Sequence, residues 1–117
     1  MTRKKENKNR PLYMISVVSR ILEVHPQTLR MYEREGFVCP HRINQQRLYS
    51  EEDVERLNLV IKLTKEMGVN KAGVDIILRM RSRMEAMQSE IREMMRFIED
   101  DIRQDFEDRL RKIFSED

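Results

Sequence analysis

The spacing of apolar positions changes along the chain, and each change marks an element. Residues 1–11, MTRKKENKNRP, are polar and charged without periodicity, which predicts a flexible basic arm. From Ile15 to Val24 the apolar residues Val18, Ile21 and Leu22 recur at three- and four-residue steps, the buried stripe of a short helix, with Ser16 as its N-cap. A second short helix follows. His25 takes the N-cap and Pro26 the first helical position, where the missing N–H costs nothing. Leu29 and Tyr32 turn inward and Gly36 ends it. Between Phe37 and Tyr49, Val38 and Leu48 bracket a polar middle, so two strands with a turn near Asn44 are expected, Pro40 confining the first to an edge or bulge. Ser50, with Glu51, Glu52 and Asp53 behind it, opens a helix through Val54, Leu57, Val60, Ile61 and Met67 to Gly68. Asn70 caps the next, whose apolar face is Val74, Ile77 and Leu78.

Beyond Arg79 neither Pro nor Gly occurs up to Phe114. Met80, Met84, Met87, Ile91, Met94 and Ile98 alternate steps of four and three, a heptad seam. After Ile98 the steps through Ile102, Phe106 and Leu110 lengthen to four, so a regular coil should loosen there or change partner. One helix of about 36 residues would span about 54 Å, too long to fold back on so small a domain. Its stripe therefore implies a second chain, with Met80, Met84, Met87, Ile91, Met94, Ile98 and Ile102 as the dimer contacts. Packing of the first turns within the same chain is the other account. Met95, off the seam, is the candidate for an outside contact.

The expected architecture is mainly α: a basic arm over 1–11, a winged helix-turn-helix DNA-binding domain over 12–78, a long C-terminal dimerisation helix over 79–114 and a tail over 115–117. In such a unit the second helix enters the major groove with its N-terminal end first. Gln27 and Thr28 then stand where base edges can be read, glutamine suiting adenine and threonine a base or a thymine methyl. Arg30 and Arg34, four apart on one side, suit phosphate or guanine. Arg42 and Arg47, flanking the hairpin turn, extend contacts to the backbone. Tyr32 is expected half-buried with its hydroxyl free for a phosphate, and Tyr49 packs or touches a phosphate. The competing account of Arg30 and Arg34 is pairing with Glu33 and Glu35 at the surface.

Charge sharpens this picture. The net charge is only +2, but residues 1–50 carry ten Lys/Arg against four Asp/Glu, and residues 51–117 carry thirteen against seventeen. A basic first half suits a polyanion. Aromatics are 6% and charged residues 38%, too lean for a large single core, which again favours pairing with a copy. There is no run of about 18 apolar residues and no apolar stretch behind the basic N-terminus, so neither a membrane span nor a secretory signal is expected and the location is read as cytoplasmic. Cys39 stands alone and is read as a small buried hydrophobe; His25 and His41 lack partners at ligand spacing, so no metal is expected. No nucleophile–base set, phosphate loop or paired carboxylate occurs, which argues against an enzyme and against a cofactor. With only a helix and a tail after residue 80, a small-molecule effector is not expected.

At the level of motifs the chain resembles the MerR family of transcriptional regulators over roughly residues 13–80. Thr28-Leu29-Arg30-Met31-Tyr32-Glu33 followed by Gly36 matches the family's recognition-helix run. Arg47-Leu48-Tyr49-Ser50 matches its wing end, Glu51-Glu52-Asp53 the next helix start, and Gly68-Val69-Asn70 the joint between later helices. His25-Pro26-Gln27-Thr28-Leu29-Arg30 and Glu66-Met67-Gly68-Val69-Asn70-Lys71-Ala72-Gly73 are similar to the HspR branch. That resemblance implies a repressor of heat-shock and chaperone genes that binds an inverted repeat as a homodimer, with the chaperone DnaK able to act as co-repressor. Three positions depart from the pattern: Met31 where many members have Tyr, Gln45-Gln46 in place of a Gly-aromatic wing tip, and Glu23 where Gly is frequent. An activator that distorts promoter DNA, and a coiled-coil interaction protein with a merely structural helix-turn-helix, are the competing functions.

Overall fold

The computed structural model describes residues 8–115; most of the expected basic arm, residues 1–7, lies outside them. The fold is mainly α, a winged helix-turn-helix with a long helix after it. It divides into a first unit ending at Leu78 and a second beginning at Arg79.

In the first unit a two-residue strand, β1 (Tyr13–Met14), runs directly into helix α1 (Ile15–Leu22). The Ser16 cap is not formed: Met14 occupies the N-cap position without a side-chain hydrogen bond, because pairing of β1 to the wing fixes the backbone there. Glu23 closes α1 in the left-handed conformation, φ 56°, so glutamate makes the turn usually left to glycine. The Ser19 hydroxyl then donates to the Val24 carbonyl, 2.5 Å away, and stitches the turn shut.

Helix α2 (Pro26–Arg34) starts as its sequence dictates. His25 is the N-cap, its Nδ1 accepting from the Gln27 amide at 3.1 Å, with Pro26 behind it. Gly36, at φ 82°, completes the exit. The wing follows as β2 (His41–Ile43) and β3 (Gln46–Tyr49), with Asn44 and Gln45 both at positive φ, 52° and 66°. Two left-handed residues make the turn whose twist suits a tight hairpin. The sheet order is β1-β3-β2, so Pro40 precedes an edge strand and β3 is central. Strand β1 has no alternating pattern and was not legible; Tyr13 pairs with Tyr49 and Met14 with Leu48.

Helix α3 (Glu51–Ile61) opens on a reciprocal capping box. The Asp53 amide donates to Ser50 Oγ and the Ser50 amide to Asp53 Oδ2, each at 3.0 Å. It widens into a π-helical turn over Lys62–Glu66, where the Met67 amide reaches back to the Lys62 carbonyl at 3.1 Å. Met67, expected on the buried stripe, is 65% exposed, since the extra residue of the wide turn rotates it out of phase. Helix α4 (Lys71–Met95) begins after Gly68, with Asn70 Oδ1 accepting from the Gly73 amide at 2.9 Å. The core gathers Val18, Leu29, Tyr32, Phe37, Val38, Tyr49, Leu57, Val60, Leu63, Val74 and Leu78 from every element of the unit except the edge strands.

In the second unit the single helix expected over 79–114 is two helices, α4 to Met95 and then α5 (Asp100–Phe114). The amides of Arg96, Phe97 and Ile98 bond three residues back, tightening the chain, and Glu99 is extended. Asp100 and Asp101 fill the first turn of α5, where carboxylates suit the positive end of the helix. The break falls where the apolar phase drifts. Met95, expected to face outward, is buried at 5% exposure, beside Arg92, Glu107 and Leu110 around a cavity of about 220 Å³. Among the described residues no helix is long and apolar enough to cross a membrane.

Candidate nucleic-acid interface

Helix α2 divides its residues by exposure. Leu29 and Tyr32 are fixed in the core, at 0% and 2% exposure, while Gln27 and Arg34 are exposed and Thr28 and Arg30 are half-buried. A helix held by one short apolar edge thus presents an amide, a hydroxyl and two guanidiniums on its remaining surface. Gln27 and Thr28 lie in the first turn, the end that would approach base edges.

Tyr32 is buried further than the half-buried position expected of it, and Tyr49 takes the packing position that was one of its two readings. The Tyr32 hydroxyl is not free for a phosphate; it lies 3.2 Å from Thr64 Oγ1. Tyr49 is wholly buried at the centre of the sheet, its hydroxyl without a hydrogen-bond partner among the described residues. Burial, and then the nearby Glu33 charge, push its phenol above the usual value. As folded, both tyrosine rings pack in the core beneath the exposed residues of α2 and the wing.

The wing arginines are organised by a residue the sequence did not single out for that role. Arg47 donates from Nε to Glu33 Oε1 at 2.6 Å, and Arg42 from Nη2 to Glu33 Oε2 at 3.1 Å. Glu33 was expected, if paired at all, to serve Arg30 or Arg34 on its own helix. Burial raises its carboxyl, but hydrogen bonds from Arg47 and Arg42 outweigh that and hold it below the usual carboxylate value. Helix α2 and the wing are thereby one ionic unit. Only the hairpin register, which sets Arg42 opposite Arg47, could have signalled it.

Cys39 is exposed, not buried; Val38 and Pro40 on either side take the inward positions. No group of three His, Cys, Asp or Glu among the described residues is placed to hold a metal ion. On the seam, Met80, Met84, Met87 and Met94 are exposed on α4 and Ile91 is half-buried. Ile98 falls in the break and Ile102 on α5, so these two do not continue the same helical line.

Residues 13–81 match the model of the MerR helix-turn-helix family of regulatory proteins. The chain belongs to the MerR family. It is 38% identical over 85 residues to a Streptomyces coelicolor protein provisionally named heat shock protein HspR, covering 72% of this chain and 56% of that one. It is 33% identical over 79 residues to the HTH-type transcriptional regulator GlnR of Bacillus anthracis, covering 67% and 60%. The chain thus spans little more than half the length of these relatives. As a member of that family the chain carries its helix-turn-helix unit over the matched residues.

Proposed function

We propose that the chain is a homodimeric repressor that reads an inverted-repeat operator at heat-shock or chaperone genes. The observation that carries this is the division of α2, with Leu29 and Tyr32 locked in the core and Gln27, Thr28, Arg30 and Arg34 left at the surface. Gln27 and Thr28 read bases; Arg30 and Arg34 hold the backbone; Arg42 and Arg47 add wing contacts. The exposed methionine seam of α4 supports pairing with a second copy, and two-fold symmetry makes the operator an inverted repeat with half-sites about one helical turn, or a multiple, apart. Likeness to a protein named for heat shock supports heat-shock genes as targets, and the chaperone DnaK is proposed with them as co-repressor.

The test is footprinting of the purified chain on DNA upstream of its own gene and of chaperone genes, beside random DNA, with and without DnaK. A protected inverted repeat over a chaperone promoter is expected. Protection no better than on random DNA, with DnaK present, would overturn the operator reading.

A further inference from the structure

Arg42 and Arg47 face each other across the hairpin, a pairing that two like charges disfavour. Glu33 resolves it from outside the wing. Its carboxylate takes one hydrogen bond from each arginine, on separate oxygens. The Glu33 side chain is 22% exposed and that of Arg47 25%, so solvent and salt screen this bridge less than an open surface pair. Each guanidinium spends a single nitrogen on Glu33 and keeps its remaining N–H donors for an outside acceptor. Glu33 itself stands one residue before Arg34, on the helix that carries the base-reading candidates.

We infer that Glu33 is a positioning and specificity-determining residue, which locks the wing arginines at a fixed offset from α2 and tempers their attraction for phosphate. This rests on the DNA reading proposed above. Two physical effects act together. A carboxylate beside a surface that meets phosphates subtracts from attraction to any DNA, whatever its sequence. A fixed offset lets the wing contacts form fully only when α2 sits in register with its bases, so that wing and helix are satisfied by the same site. Glu33 therefore lowers affinity for arbitrary DNA and raises discrimination, although it touches no base.

The experiment selects duplexes from a random pool with the full wild-type chain. Kd is then measured on a selected and a scrambled duplex, across a salt series, for wild type, Glu33→Gln and Glu33→Asp. Glu33→Gln is expected to bind the scrambled duplex about threefold tighter with steeper salt dependence, and to lose about tenfold in the selected-to-scrambled ratio. Glu33→Asp keeps the charge and shortens the reach. It is expected to leave scrambled binding unchanged and to lose a smaller part of the ratio. Equal losses on both duplexes would show a residue that only supports the fold, and would overturn the inference, as would an unchanged ratio. Should Glu33→Gln not fold, Glu33→Asp decides by the same two outcomes. A wild-type chain that selects no sequence would sink the operator reading itself, and this inference with it.

Discussion

The phenol oxygen of Tyr32 and the hydroxyl oxygen of Thr64 lie 3.2 Å apart and join α2 to the π-helical turn. Thr64 gives its own hydrogen to the Val60 carbonyl at 2.8 Å, so Tyr32 is the donor. Tyr32→Phe keeps the ring in the core and removes that bond. The expected loss is about 1 kcal/mol of unfolding free energy by denaturant titration, with the ratio of specific to random DNA affinity unchanged. A changed ratio would return the hydroxyl to the DNA-contacting set.

Glu23 holds a left-handed backbone at φ 56°, which costs a side-chain-bearing residue about 1 kcal/mol or more. Glu23→Gly should raise stability by about 0.5–1 kcal/mol, the relief exceeding the added freedom of the unfolded chain. A lowered melting temperature would mean the Glu23 side chain stabilises the turn in some other way.

The Glu33 carboxyl titrates below its usual value in the folded protein, where burial is outweighed by its arginine partners. Its contribution to stability is therefore complete above the ordinary carboxylate range and is lost as pH falls through the lowered folded value. Unfolding curves of wild type and Glu33→Gln should run apart near neutral pH and converge in acid. A gap that stays constant down the acid limb would rule out the ionised bridge as its source.

Arg30→Ala should weaken binding to every duplex and make the log–log salt slope shallower by about 0.9 for each phosphate no longer neutralised. Gln27→Ala should cost about 1–3 kcal/mol on the preferred site alone and relax one base position. Equal losses on specific and random DNA for both variants would dissolve the division between reading and holding.

Met87 is 60% exposed at the middle of the α4 seam. Met87→Lys should shift the sedimenting species from dimer to monomer and weaken binding to an inverted repeat more than to a half-site. Unchanged sedimentation would rule out the α4 seam as the contact of the proposed dimer.

Much of the first unit was legible because local chemistry decides it. His25-Pro26, Ser50 with Asp53, and Asn70 are caps whose partners lie within three residues, and each formed as its sequence predicts. Strand β1 and the Glu33 bridge were not legible, because both are set by long-range pairing with the wing. Cys39 and Met67 failed for a related reason: a hydrophobic side chain near the core is buried only if the backbone phase allows it. The helix break was not legible: Glu99-Asp100-Asp101 reads as a solvated cluster on a charged helix, and in the fold it starts α5 instead. Of the candidate interface, the α2 surface set stood in the sequence. The burial of Tyr32 and Tyr49 depended on packing against elements a dozen or more residues away.

The π-helical turn at Lys62–Glu66 amounts to one residue more than an α-helix would need there. It behaves as a built-in insertion. Deleting one residue within it would let the backbone close as ordinary α-helix, keeping its hydrogen bonds while carrying Gly68, Val69 and Asn70 about 100° around the axis. Val69, which packs against the core, would leave it. Chain length in this turn is thus tied to the direction in which the next helix departs, and homologous chains that differ by one residue here must differ in that direction too.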